Sequence, residues 1–321
     1  MGQLAYYDAD GVSALLDYPG CIVAVRAAMA ELSERGIAQP LRSITELGPG
    51  RLFAQMPGLR GPHGDFGAKL LSVFEDEGRP GRSEHRGLVA LFDPINGEPV
   101  CVADASAITL IRTAAASAVA TDALARPDAR CVALFGCGAQ ATTHLRALVE
   151  VRPIDTVLVW GRDVDRVGNF CRRMGDELGV ALHAVHDGRE AAAEADIICT
   201  LTSSPTPILS GHWVQPGTHV NAVGSNYAGP VEIDHALLLA SRYIVDSRRS
   251  ALAAAAEYLA AEAEGLIDES HIAGEIGDVL LGRVAGRRSA SEITLYKSLG
   301  HIVQDLAATA YVHARNVGGS A

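Results

Sequence analysis

Three cations, one amide and a glycine pair are the residues of this chain best placed to do chemistry. Lys69 lies inside the apolar, strand-like run DFGAKLLSVF, where a charge is costly unless a partner meets it. Arg112 lies on the apolar helical run LIRTAAASA, and Arg42 stands in PLRSITELGPG. Any one of them is explained by an ordinary ion pair or by a stem that snorkels to water. Together they suggest an anionic ligand, because guanidinium forks match a carboxylate and a lysine adds a point charge. Asn226 closes the stretch VNAVGSN, in which a buried strand ends at Gly224 and polar side chains follow where a strand would meet a ligand. An amide there can orient a nitrogen or a water, but it cannot exchange a proton as a carboxylate does.

The glycine pair occurs in VALFGCGAQATTH as Gly136-x-Gly138-x-x-Ala141, between an apolar strand and a helix. Gly136 permits a tight turn, Gly138 lets backbone approach a pyrophosphate, and Ala141 allows close helix–strand packing. The helix N-terminus, entered through Ala139 and Gln140, attracts the anion. The strand–helix–strand context favours dinucleotide binding over a purely structural turn. An NAD site normally ends its second strand with Asp or Glu. Here TVLVW is followed by Gly161-Arg162. A glycine leaves room and an arginine can pair with a 2′-phosphate, so NADP(H) is favoured. NAD(H) is possible if Asp163 turns inward, and the plain alternative for Arg162 is a solvated surface charge.

These residues need a scaffold, and composition bounds it. The 321 residues are 48% hydrophobic and 20% charged, which suits two soluble domains. A net charge of −11 argues against nucleic-acid or anionic-membrane partners. The first residues lack the basic start and apolar core of a signal peptide. Six scattered cysteines without a C-x-x-C pair indicate reduced thiols in a cytoplasmic protein and no metal site. His144 reads as a helix-face residue.

Residues 51–102 carry four strand-like runs, the last two flanking the hairpin signal PING. A helix follows, capped by Asp104 or Ser106. From residue 130 apolar strands, glycines and helices alternate, which implies a Rossmann-type, doubly wound parallel sheet in an α/β fold. TLYKSLGHIVQDLAATAYVHARN reads as one terminal helix that returns to the N-terminal region. The expected domains are therefore a smaller α+β domain from both chain ends (1–112 with 300–321) and a dinucleotide-binding domain (113–299).

The chain resembles the ornithine cyclodeaminase/mu-crystallin family over essentially its whole length. The stretches that carry the resemblance are PLRSITELGPGRLFAQMPG, GAKLLSVF, LIRTAAASA, GCGAQATTH, ADIICTLTSS, NAVGSN and YKSLGHIVQD. It implies a substrate and dimerisation domain beside the dinucleotide domain, and a homodimer. It also implies that Arg42, Lys69 and Arg112 hold the carboxylate of an amino or imino acid. Thr113, Thr200, Thr202, Ser203, Val223, Gly224 and Ser225 match cofactor-contacting positions. Lys297 and Ser298 match a helix start near the nicotinamide.

In the cyclodeaminases and alanine dehydrogenases of that family, the position of Asn226 is a catalytic aspartate and that of Ala54 an acidic residue. Cyclodeamination must oxidise an amine, expel ammonia and re-reduce a cyclic imine, so it needs proton transfers. Hydride delivery to an imine needs fewer, and water or Lys69 can supply the proton. Lys69 and Asn226 are the catalytic candidates. The sequence thus favours a reductase of Δ1-pyrroline-2-carboxylate, Δ1-piperideine-2-carboxylate or a linear imine. An ornithine or lysine cyclodeaminase, an alanine-dehydrogenase-like enzyme and a non-catalytic NADPH-dependent binding protein of crystallin type are the alternatives.

Overall fold

The structure, a computed structural model, describes residues 4–61, 64–75 and 83–318. Two compact units divide the chain, Met1–Arg112 with His301–Ala321 and Thr113–Gly300. The helix Ala105–Leu124 runs from one into the other. It is the one continuous helix among the described residues long and apolar enough to cross a membrane, but most of it is buried as a core helix. Asp104 caps it by accepting from the Ala107 amide at 2.8 Å.

The first unit is built on a six-stranded sheet of β1 (Ala5–Tyr7), β2 (Ser43–Gly48), β3 (Arg51–Leu59), β4 (Phe66–Glu75), β5 (Ser83–Phe92) and β6 (Pro99–Asp104). The order is β1-β6-β5-β4-β3-β2, antiparallel except for the parallel β1–β6 pair. The predicted hairpin joins β5 to β6: Asp93 accepts from the amides of Ile95 and Asn96, and Gly97 turns the chain at φ 74°. Alternation decides the faces. Val89 and Leu91 point into the core, and the C-terminal helix Ile302–Gly318 packs on that side against β3 to β6 and against helix Tyr18–Arg35. On the opposite face Phe66 and Phe74 are each 39% exposed among the described residues, and Phe66 stacks on Phe92.

The second unit contains β7 (Cys131–Phe135), β8 (Thr156–Trp160), β9 (Ala181–Val185), β10 (Ile197–Thr200), β11 (His219–Ala222), β12 (Ser241–Val245), β13 (Ile272–Glu275) and β14 (Ile293–Lys297). They form one parallel sheet in the order β13-β12-β14-β11-β10-β7-β8-β9. Successive residues of one strand enter two different cores: Val132 and Leu134 pack on one side of the sheet, Ala133 and Phe135 on the other. That double burial explains why the strands are nearly continuous runs of apolar residues. The strand order reverses between β7 and β10, the place where sheets of this kind open a crevice for ligands.

One expectation fails here. The segment after residue 294 is not a single helix: Ile293–Lys297 is a strand between β11 and β12, and the helix begins only at Ile302. Short apolar runs do not distinguish strand from helix by periodicity, and the free edges of β11 and β12 decide the matter by hydrogen bonding. Lys297 and Ser298 therefore stand at a strand end and in the following loop, not at a helix start. Gly300 falls in the second unit, where Asp246 accepts from its amide at 2.7 Å and from that of Leu299 at 2.8 Å.

Burial also sets the acid response of the fold. Burial pushes His144 down to about 4, His219 to about 3 and His301 to about 4, from an ordinary 6.5. His144 is held neutral between the Ser117 hydroxyl and the Gln140 carbonyl, and His219 between Thr294 and Asn221. The unfolded chain binds protons that the folded chain refuses. Stability is therefore fully present above pH 6.5 and is lost as pH falls towards 4, by about 1.4 kcal/mol per histidine per pH unit. Urea unfolding compared at about pH 7.5 and about pH 5 should show a marked drop in midpoint, and equal midpoints would contradict this account.

Candidate active site

Lys69 on β4 is 2% exposed and Arg112 is 4% exposed. Both donate to the same oxygen, Asp305 Oδ1, at 2.9 Å each. Lys69 also donates to the Thr109 hydroxyl, and Arg112 to Gln304 Oε1 at 2.8 Å. Asp305 and Gln304 come from the C-terminal helix and are fully buried. Asp305 Oδ2 has no hydrogen-bond partner among the described residues. Arg42, half-buried just before β2, is close enough for its charge to act on Lys69.

The cluster thus brings together the three cations expected from the sequence and adds an anion that was not. Burial pushes Lys69 down to about 8; Asp305 opposes this, while Arg112 and Arg42 add to it. Burial pushes the Asp305 carboxyl up, but Arg112 and Lys69 outweigh it and hold it below the usual carboxylate range. His301, neutral through burial, completes the polar surroundings of Asp305 and Arg112. Lys69 and Arg112 share the one carboxylate of Asp305, a positive balance that a further carboxylate would reduce. Ala54 lies on the buried side of β3, one alternation from Met56, the cross-strand partner of Lys69. No acid stands at that position.

In the second unit Gly136 and Gly138 follow β7, and Thr202 and Ser203 follow β10, the two strands that flank the switch point. Gly136 ends β7 with φ 121°, and a Cβ there would lie 3.0 Å from the Leu201 carbonyl, so no side chain fits. A Cβ on Gly138 would meet nothing within 4 Å. Packing does not require that glycine, whereas close approach of a ligand would. Gly138 begins the helix Ala139–Leu148 without a side-chain cap, and Gln140 Oε1 is buried without a hydrogen-bond partner. The amides of Ala139 and Gln140 lie in the first turn, where an anion is favoured. These features fit a pyrophosphate.

Trp160, Gly161 and Arg162 border a cleft of about 230 Å³ with Val164, Val185 and His186. Arg162 is exposed. A Cβ on Gly161 would lie 2.9 Å from Val167, so the glycine also allows the following helix to pack closely. Asp163 caps the helix Val164–Leu178 by accepting from the Arg166 amide at 3.1 Å.

The loops after β10 and β11 are joined by a residue absent from the sequence reading. Glu232 is fully buried; Oε1 accepts from the Thr202 amide and hydroxyl at 2.6 and 2.7 Å, and Oε2 from the Gly224 amide at 2.7 Å. Burial pushes its carboxyl up. A Cβ on Gly224 would fall 2.0 Å from the Thr202 carbonyl, so the two loops touch through backbone. The amides of Val223 and Gly224 donate to the Thr200 carbonyl. Ser225 is pinned by the fully buried Lys297, which donates to its carbonyl, to its hydroxyl at 2.9 Å and to Glu257 at 2.9 Å. Asn226 follows, exposed, as is Ser203; Thr113 is buried. Local patterns contain no signal for Glu232 or Asp305 as site residues, because Thr202 and Lys69, which they meet, are remote in sequence.

The profile of the ornithine cyclodeaminase/mu-crystallin family matches residues 8–320. The chain belongs to that family. It is 34% identical to the Δ1-pyrroline-2-carboxylate reductase of Bacillus cereus over 253 residues, 78% of each chain. It is 32% identical to the ketimine reductase mu-crystallin of Mus musculus over 293 residues, 90% of each chain. Among solved structures it is similar to the Δ1-pyrroline-2-carboxylate reductase of Thermococcus litoralis in complex with NADH and L-proline. There the TM-score is 0.93 and the identity 30%, with 99% of this chain and 98% of that chain covered.

The Glu232 brace makes a specific prediction. Glu232→Gln replaces one acceptor oxygen by an NH2 group, which must face either the Thr202 or the Gly224 amide donor. Losing one such charge-assisted bond, worth roughly 1.5–3 kcal/mol, should speed hydrogen exchange at one of those amides by about tenfold or more. Unchanged exchange at both would show that the loops hold their shape without the carboxylate.

Proposed function

We propose that the protein is an NAD(P)H-dependent reductase of a cyclic or linear α-imino acid, of the Δ1-pyrroline-2-carboxylate or Δ1-piperideine-2-carboxylate type. The observation that carries this reading is the buried cluster in which Lys69 and Arg112 share the carboxylate of Asp305, with the charge of Arg42 acting on Lys69. Such a cluster suits a small carboxylate ligand held in one pose, as hydride transfer requires. Asn226 and Ala54 supply no carboxylate for the proton transfers of ammonia release. A protonated imine is already electrophilic, so its reduction does not need them. The similarity to a Δ1-pyrroline-2-carboxylate reductase and a ketimine reductase supports the same substrate class.

The chain's own residues then divide the work. Arg42, Lys69 and Arg112 hold the substrate carboxylate, and Lys69 stands as a proton source for the nitrogen. Asn226 orients that nitrogen or a water. The backbone at Gly136, Gly138, Ala139 and Gln140 cradles the pyrophosphate, and Thr113, Thr200, Thr202, Ser203, Val223, Gly224 and Ser225 flank the nicotinamide half. When bound, the reduced nicotinamide supplies the hydride to the C=N carbon. Arg162, exposed at the cleft beyond β8, favours a 2′-phosphate and hence NADPH over NADH, and Asp163 is spent on its helix cap. The exposed apolar face with Phe66, Phe74 and Leu88 suits a second copy of the chain, so a homodimer belongs to the proposal. All six cysteines are free, which suits a reducing cytoplasm.

Two outcomes test this. Purified protein should consume reduced nicotinamide with Δ1-pyrroline-2-carboxylate, Δ1-piperideine-2-carboxylate or an imine of an oxo acid and methylamine. The rate should decline above neutral pH as the imine loses its proton. Asn226→Ala should cost about ten- to a hundredfold, the share of one oriented hydrogen bond. Efficient ammonia release from ornithine or lysine with oxidised cofactor would return the protein to the cyclodeaminases.

The second outcome concerns Arg162. NADPH should bind more tightly than NADH, and Arg162→Ala should remove about one to two decades of that preference, the worth of one charge-assisted contact. Equal affinity of the wild type for the two cofactors would rule the contact out.

A further inference from the structure

We propose that Asp305 is a positioning residue of the reductase site: through one shared oxygen it holds Lys69 beside Arg112 and keeps the Lys69 ammonium protonated at neutral pH. The inference deepens the function proposed above and rests on it for the identity of the ligand. Its physical basis is the set of groups around Lys69. The side chain comes from β4 and is out of water. From the helix Ala105–Leu124 it faces Arg112 and the neutral hydroxyl of Thr109. From the segment before β2 it faces Arg42, and from the C-terminal helix it faces Asp305. Next to Asp305 stands His301, which is neutral and contributes no charge.

Burial is the strongest influence favouring loss of the Lys69 proton, Arg112 and Arg42 add to it, and Asp305 opposes them. Lys69 nevertheless sits at about 8, charged at neutral pH but only narrowly. Removing the opposing anion must lower that value. A neutral amine at position 69 could neither attract a carboxylate as a charge nor give up an ammonium proton, so Asp305 is what keeps Lys69 cationic within the clamp.

The composition of the chain makes the test direct. Lys69 and Lys297 are the chain's two lysines, so protein labelled with 13C-lysine gives two side-chain signals, which Lys69→Arg assigns. In the wild type the Lys69 signal should titrate near pH 8. In Asp305→Asn, which keeps the shape and the Oδ1 acceptor, it should titrate about one to three units lower, the usual effect of one close opposite charge. A Lys69 signal that titrates at the same pH in both proteins overturns the proposal.

If Asp305→Asn does not fold, Thr109→Val removes the other acceptor of Lys69 among the described residues without changing any charge. Lys69 must then still titrate near pH 8, and a fall of a unit or more would assign the proton to the hydroxyl and refute the role of Asp305. The two claims fail separately. A Lys69 shift in a protein that reduces no imine would sink the reductase, and imine reduction with an unshifted Lys69 would sink the positioning role.

Discussion

Burying a lysine beside an arginine is possible only if an anion is buried with them. Lys69 and Arg112 repel one another in a medium that screens poorly, and each has lost its hydration. Asp305 meets both through one oxygen. Because Asp305 lies 236 residues from Lys69, the constraint shapes the whole first unit: the last helix must return to β4 and cover it. Buried ion clusters are weak devices for stability, since apolar residues of similar volume commonly do as well or better. A cluster with more cations than anions is weaker still. Its persistence in the core is better explained by a ligand than by folding.

The second unit applies the same chemistry to a different end. There buried carboxylates hold backbone amides in place at the carboxyl ends of the parallel strands. Glu232 joins the loops after β10 and β11, and Asp246 holds the turn after β14. A carboxylate accepting several N–H groups fixes a loop more firmly than neutral contacts can, because charge-assisted bonds are the stronger ones. Lys297 shows the complementary use of a compact cation. Its three protons go to two atoms of Ser225 and to Glu257, a divergent set that the planar fork of an arginine would not match. Of the 27 basic residues of the chain, the two lysines are both fully enclosed and the other 25 (27 − 2) are arginines. In this chain lysine is kept for sites where a point charge is needed.

Much was legible from local chemistry. Gly136 and Gly138 announce a phosphate loop because turn geometry and close approach are demands on single residues. The strands β7, β8, β10, β11 and β12 announce a parallel sheet because burial on both faces removes polar alternation. The short strands were harder. β9 reads A-L-H-A-V and β13 reads I-A-G-E, too short and too mixed to stand out, and each forms because a neighbouring strand offers a free edge. Gly161 carries a second demand that its motif does not show: Val167, one turn into the next helix, lies where a Cβ would project.

By itself, then, the sequence determined most of the long elements and pointed to an anionic ligand. Apolar runs, glycines and caps act over a few residues, and three cations in apolar settings ask for an anion wherever they are placed. What only the tertiary structure decided was which groups meet. Asp305 and Gln304 look like ordinary polar positions of a terminal helix, and Glu232 like a residue of a polar loop, until the fold sets them against Lys69, Arg112, Thr202 and Gly224. The same holds for Ile293–Lys297, whose apolar run fits helix or strand equally and becomes a strand between β11 and β12. Hydrogen bonds and ion pairs depend on distance in space, which local pattern does not encode when the partners are remote along the chain.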